Sequence, residues 1–162
     1  MAENKLTLTE KFATAAEKLN GKIDSNVFLA EARNLSEKFE LLWDAAADDT
    51  AAKQDLSRSL GTVFYQVLTQ IKTQTTAPAV DIQTDAAVEM FITLDKLNPG
   101  YLSKVTFPTL LKNEAIYLSR AAEQQTSTLP RNSLLRASNT VALMALAASR
   151  NAPQPLPATP KP

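Results

Sequence analysis

Prolines divide this chain into segments in which apolar residues recur every three or four positions. Four internal prolines fall between such segments, and five more lie within the last ten residues. Proline disrupts the interior of helices and sheets, so these positions mark the boundaries of elements. The chain has only three glycines, which leaves few of the tight turns that an all-β fold needs. The pattern therefore predicts an all-α protein.

The apolar periodicity predicts six helices, with the strongest pattern in the third. Thr7 and Glu10 have the spacing of a capping box at the start of the first helix, and Gly61 in the third leaves room for a neighbouring helix. The predicted helices cover residues 8–20, 25–46, 50–75, 82–97, 109–124 and 130–149. Because the connections are short, we expect one domain over residues 1–150, a bundle of five or six antiparallel helices. A disordered Pro-rich tail is expected over residues 151–162.

The composition excludes several kinds of chemistry. The chain contains no Cys and no His, so it lacks disulfides, thiolate metal sites and the commonest general base. The sequence has no Ser-x-x-Lys pair, and Gly21-Lys22 lacks the rest of a phosphate-binding loop. We therefore predict that the protein is not an enzyme and has no catalytic residues, no metal ligands and no cofactor.

An acidic row on the second predicted helix provides one enzymatic alternative. Glu37, Glu40, Asp44 and Asp48 share a helical face, and Mg²⁺ prefers oxygen ligands such as carboxylates. The Glu37-x-x-Glu40 spacing is similar to that of the all-α nucleotide pyrophosphohydrolases, whose carboxylates hold Mg²⁺. Those enzymes need a second acidic pair on a following helix, commonly Glu-x-x-Asp. The third predicted helix offers only Asp55, and the fourth region has Asp81, Asp85 and Glu89 at steps of four instead. We do not assign the chain to that family, and a carboxylate-magnesium hydrolase remains the third interpretation.

The distribution of charge and apolar residues limits the classes of partner. The 17 basic and 17 acidic residues balance, and the bases are spread singly instead of clustering with aromatic residues, so no nucleic-acid partner is predicted. The longest strongly apolar run, Val141 to Ala148, is far shorter than the roughly 20 residues of a transmembrane helix. The first residues do not resemble a signal peptide. We expect a cytoplasmic protein, with export by a signal-independent route left open.

Two segments contain more apolar residues than a small core needs. The last predicted helix has no charged residue between Arg136 and Arg150, so it is either central or faces a second subunit or a partner. The linker over residues 101–107 either folds over the core or forms a docking edge. Trp43, the sole Trp, would be a credible anchor for a partner if it is exposed. The candidate partner-binding residues are Trp43, Tyr101, Leu102, Val105, Phe107, Leu143 and Leu146.

Together these features predict a non-enzymatic protein–protein interaction protein, such as an adaptor, regulator, secretion-associated or assembly factor. Its apolar helical surface would bind another protein or a second copy of the chain. The alternative is a helical bundle that holds a lipid or another apolar small molecule between its helices.

Overall fold

The computed structural model describes residues 7–17, 26–104 and 106–150. In these ranges the chain forms seven α-helices: α1 Leu8–Ala16, α2 Asn26–Ala46, α3 Thr50–Gln70, α4 Ala77–Leu97, α5 Pro99–Leu102, α6 Thr106–Glu123 and α7 Thr128–Arg150. A 3₁₀ turn, Ile71–Thr73, follows α3. No strand occurs in the described ranges, so the prediction of an all-α protein is confirmed. The predicted tail over residues 151–162 lies outside the described residues.

Helix α1 begins at the predicted capping residue, and α3 begins at the predicted position, residue 50. Thr7 Oγ1 accepts the backbone N–H of Glu10 at 3.0 Å, and Glu10 Oε1 accepts the backbone N–H of Thr7 at 2.8 Å. This is the predicted capping box, which pairs two N–H groups that the helix itself leaves unpaired. Asp49 caps α3 by accepting the backbone N–H of Ala52 at 3.0 Å.

The helix count and the start of the fourth helix were predicted incorrectly. Helix α4 begins at Ala77, five residues before the predicted start at residue 82. It begins there because Thr76 caps the helix and Pro78 occupies its first turn. Proline is well tolerated there, since the first turn has no carbonyl partner for its missing N–H. The linker predicted over residues 101–107 instead contains α5, a helix of four residues that starts with Pro99. The described chain therefore has seven α-helices where five or six were expected.

Helix α4 contacts more of the other helices than any neighbour does, since α2, α3, α5 and α7 all pack against it. Helix α6 packs mainly on α7, and α1 packs on α2 and α3. Two ion pairs join α2 to α4: Arg33 Nε lies 3.6 Å from Glu89 Oε2, and Lys96 Nζ lies 3.1 Å from Glu40 Oε1. From the first pair to the second, the residue number rises by seven on α2 and by seven on α4. The two helices therefore run in the same direction. All seven helices contribute to one continuous core.

Candidate functional site

Helix α7 buries one face and exposes the opposite one. Leu143 and Leu146 are 65% and 63% exposed. The buried residues are Leu134, Ala137, Val141, Ala145 and Ala148, which recur at steps of three and four, together with Pro130, Ser133 and Met144. Helix α7 is therefore peripheral instead of central, which answers the question that its composition raised. Neither α7 nor any other helix in the described ranges is long and apolar enough to cross a bilayer.

A groove of about 580 Å³, open to solvent, lies between α4 and α7. Phe91 and Met144, both buried, form its floor, and the exposed side chains of Leu143 and Leu146 form its rim. The remaining lining residues are Val88, Thr140, Ala147 and Arg150. We call this surface the α4–α7 groove. Its apolar lining extends from buried core residues to side chains that are exposed to solvent.

Each of the two helices carries a line of residues at alternating steps of three and four beside the groove. This spacing keeps the members of a line on one face of a helix. The line on α4 consists of Asp81, Asp85, Val88, Ile92 and Asp95. The line on α7 consists of Arg136, Asn139, Leu143, Leu146 and Arg150. The α4 line is acidic at both ends and the α7 line is basic at both ends, with apolar residues in the middle of each.

A charge-assisted hydrogen bond shows the relative direction of α4 and α7. Arg136 Nη2 donates to Asp81 Oδ1 near the start of both lines. Further along both helices, Phe91 lines the groove together with residues 140–150. Residue numbers therefore increase in the same direction along α4 and α7. Asp85 and Arg150 lie toward opposite ends of this surface, and neither forms an ion pair with another described residue.

The ring of Tyr101 in α5 and three phenylalanine rings form a second apolar region, which we call the aromatic cluster. The ring centroids of Tyr101 and Phe107 lie 5.6 Å apart in an edge-on arrangement, and Phe107 stacks on Phe64 at 6.0 Å. The Phe64 ring lies 6.0 Å from that of Phe91. Because Phe91 also forms the floor of the groove, the two regions meet inside the molecule.

Gly61 allows α5 to lie close against α3. A Cβ atom at Gly61 would lie 2.7 Å from two ring carbons of Tyr101, which is closer than non-bonded carbons approach. The close approach expected from this glycine is therefore present, and the neighbour is a tyrosine ring. Burial raises the pKa of Tyr101 above its ordinary value of 10.0, and the positive charge of Arg58 lowers it by a smaller amount.

The seven predicted partner-binding residues do not form one surface in the structure. Leu143 and Leu146 lie at the groove. Leu102 is fully buried and has no surface to offer a partner, while Tyr101 and Phe107 are partly buried against the core. Val105 lies outside the described residues.

Trp43 lies elsewhere, at the contact between α2 and α3. Its ring centroid lies 5.7 Å from that of Phe39. Lys53 Nζ lies 5.0 Å from the centre of the indole ring, in a cation–π contact. Trp43 is partly buried against the core. Its contacts are those of a residue that packs α2 on α3.

The charged groups of the described ranges include ion pairs but no acidic cluster suited to a metal ion. In the acidic row on α2, Glu40 is paired with Lys96, and no group of three acidic residues in the described ranges is placed to hold a metal ion. The most buried ion pair joins Lys72 Nζ to Glu114 Oε1 at 3.0 Å, and it ties the 3₁₀ turn to α6. This pair has a structural role, because it links two elements that pack together.

Sequence reasoning missed the contribution of α4 to the groove. Val88, Phe91 and Ile92 were not among the candidate site residues that the sequence indicated. A signal was present for two of them, because Val88 and Ile92 follow the spacing that begins at Asp81 and Asp85. Periodicity shows which residues share a face, but it does not show which face of α4 the other helices leave uncovered.

Comparisons of the chain with known protein families, with curated proteins and with solved structures find no match. The class of protein is therefore defined by the fold and by the groove. It is an all-α protein whose last described helix exposes an apolar face beside an open groove.

Proposed function

We propose that this chain is a non-enzymatic protein–protein interaction protein that binds its partner through the α4–α7 groove. The roles that fit are those of an adaptor, a regulator, a secretion-associated protein or an assembly factor in the cytoplasm. The observation that carries the proposal is the exposure of Leu143 and Leu146 at the rim of a groove whose floor belongs to the core. In this proposal, residues 1–150 act as a single helical bundle with a Pro-rich tail.

The pattern of side chains around the groove supports a protein partner. Ile92, Leu143 and Leu146 are each more than half exposed, and burial of apolar surface stabilises a complex by about 25 cal/mol per Å² before the costs of association. Charged residues stand at both ends of the apolar middle. An apolar centre with a polar rim is the usual composition of a protein interface.

The lining of the groove also argues against catalysis. Among the described residues that line it, only Thr140 and Arg150 have hydroxyl or charged side chains. General acid–base catalysis needs a group that can gain and lose a proton near neutral pH. A guanidinium group keeps its proton in this range, and a threonine hydroxyl is not acidic enough to lose one.

Selection of peptide ligands tests the proposed function without knowledge of the natural partner. A displayed library of amphipathic helical peptides is selected against the wild-type protein. The selected peptides are then measured against the double variant Leu143→Asp/Leu146→Asp. We expect the variant to lose at least about thirtyfold in affinity, because central apolar contacts at interfaces typically contribute 2 kcal/mol or more.

Leu41→Asp is the matched control for this experiment. Leu41 is 66% exposed on α2, so the substitution removes the same kind of side chain at the same exposure. It should leave peptide affinity unchanged. Peptides that bind the double variant as tightly as the wild type would exclude the groove as the binding site.

The volume of the groove supports a second candidate function, the binding of an apolar small molecule such as a lipid. A volume of about 580 Å³ falls within the range of ligand sites. Such sites bury most of their ligand, whereas the rim leucines of this groove face solvent, so we favour a protein partner. Native mass spectrometry decides between the two: a bound species of discrete small mass, lost in the Leu143→Asp/Leu146→Asp variant, would support the lipid alternative.

A further inference from the structure

The charges beside the α4–α7 groove are arranged so that the surface complements itself. We propose that the partner in the groove is a second copy of this chain, with its α7 antiparallel to the first α7. This inference rests on the proposed function, because it names the occupant of the same groove. It is argued from the charge pattern of α4 and α7 and from the length of the uncharged segment.

Leu143 lies midway along the line on α7, seven residues from Arg136 and seven from Arg150. A two-fold axis near Leu143 therefore places the Arg136 end of one copy against the Arg150 end of the other. The leucines at positions 143 and 146 of both copies then meet in the middle. Each copy uses the same patch, so the contact is isologous and closes at two subunits.

The acidic line on α4 selects the antiparallel arrangement. In one copy, Asp81 already binds Arg136, while Asp85 and Arg150 have no ion-pair partner among the described residues. Because α4 and α7 run in the same direction, an antiparallel second copy brings its Arg150 to the end where Asp85 lies. The two-fold axis forms this pair twice. Arg150 then also approaches Arg136 of the other copy, but Asp81 already balances the charge of Arg136. A parallel arrangement would instead place together the two Arg150 side chains, which have no ion-pair partner among the described residues, and like charges repel.

The segment between Arg136 and Arg150 has a composition that permits contact between two helices. It contains no charged residue, and its fourteen steps correspond to about 21 Å of helix. Asn139, Ala142 and Ser149, which are smaller than the leucines, stand on the exposed side. A surface of this length accommodates several helical turns of packing without burial of an unpaired charge.

The oligomeric state in solution is the first test. Light scattering after gel filtration, over a range of concentrations, should give twice the chain mass for the wild type. Leu143→Asp should raise the dissociation constant of the dimer by at least about thirtyfold, whereas Leu41→Asp should leave it unchanged. Both positions are exposed, so both variants should keep the circular dichroism spectrum of the wild type.

A charge exchange tests the pair between the two copies. Asp85→Arg and Arg150→Asp should each weaken the dimer, because each places like charges together. The double variant Asp85→Arg/Arg150→Asp restores opposite charges across the interface and should regain most of the lost affinity. Additive losses in the double variant would overturn the proposed pairing.

Double electron–electron resonance, which measures the distance between two spin labels, tests the relative orientation of the two α7 helices. Because the chain has no Cys, a spin label at Asn132→Cys, an exposed position on α7, labels one site per copy. Residue 132 is eleven positions from residue 143, so the antiparallel dimer places two labels about 33 Å apart. A parallel dimer places them about 10 Å apart, at the distance between packed helices, and would overturn the proposal.

The outcomes separate this inference from the proposed function. A wild-type protein that stays monomeric at its highest soluble concentration overturns the second copy as partner. If groove-dependent peptide binding persists in that monomer, the proposed function stands with a different protein as its partner. If peptide binding is also independent of the groove, both proposals fail. A dimer that Leu143→Asp does not weaken overturns the inference as well.

Discussion

The aromatic cluster and the α4–α7 groove share Phe91, but they differ in what covers them. Over the aromatic cluster, the four residues of α5 bring Tyr101 against Gly61 and close the apolar region. Over the groove, no described element follows α7 to cover Leu143 and Leu146. The composition of the two regions is similarly apolar. The path of the chain therefore decides which apolar surface becomes core and which becomes a candidate interface.

Phe64→Ala should have the largest effect, because it removes the ring that joins Phe107 to Phe91. Phe64 is fully buried, and truncation of a buried phenylalanine costs about 3–5 kcal/mol through lost contacts and a residual cavity. Urea unfolding followed by circular dichroism measures this change. A loss below about 1 kcal/mol would show that the covered region is packed loosely, and the contrast with the groove would disappear.

Gly61→Ala tests whether α5 depends on the close approach of Tyr101. We expect a net loss of about 1 kcal/mol, because overpacking costs about 1–3 kcal/mol and exceeds the gain of about 1 kcal/mol in helix propensity. In a Tyr101→Ala background the clash is absent, so the same substitution should stabilise the protein. A change of the same sign in both backgrounds would contradict the proposed role of Gly61.

The pH dependence of stability tests the burial of the Tyr101 side chain. Burial raises the pKa of Tyr101 above its ordinary value of 10.0, so above that pH the unfolded chain loses this proton more readily than the folded chain. The free energy of unfolding should therefore fall as the pH rises from 10.0 through the raised pKa. Tyr101→Phe removes the titrating group and should reduce this fall. Urea midpoints below and above pH 10.0 measure it, and identical falls in both proteins would be inconsistent with the burial.

Leu143→Ala should have the smallest effect on the stability of a single chain. The side chain is mostly exposed, so its removal should change the free energy of unfolding by less than about 0.5 kcal/mol. The measurement is made at a concentration low enough for the monomer to predominate, since association also stabilises the folded state. A loss comparable to that of Phe64→Ala would mean that the groove belongs to the core.

Much of the fold could be predicted because its signals are local. The capping box of Thr7 and Glu10, the start of α3 after Asp49 and the buried stripe of α7 all depend on residues within a few turns. The start of α4 was placed too late, because Pro78 was interpreted as a boundary instead of a residue of the first turn. Helix α5 was missed because four residues are too few for a periodic signal.

The candidate site was only partly predictable. Leu143 and Leu146 were selected because the last helix lacks charges, and they do lie at the groove. Leu102 was selected for the same apolar character, but α5 turns it into the core. Phe91 and Ile92 were overlooked because nothing in their spacing shows where α7 lies relative to α4.

Local sequence patterns were enough to establish that the described chain is helical, where most of its helices begin and which residues of α7 share one face. These properties follow from dihedral preferences, capping groups and helical spacing, which act between near neighbours along the chain. The packing of the helices was needed to show that α5 covers one apolar region while the groove beside α7 is open to solvent. That arrangement depends on contacts between residues far apart in sequence, such as Gly61 with Tyr101 and Asp81 with Arg136.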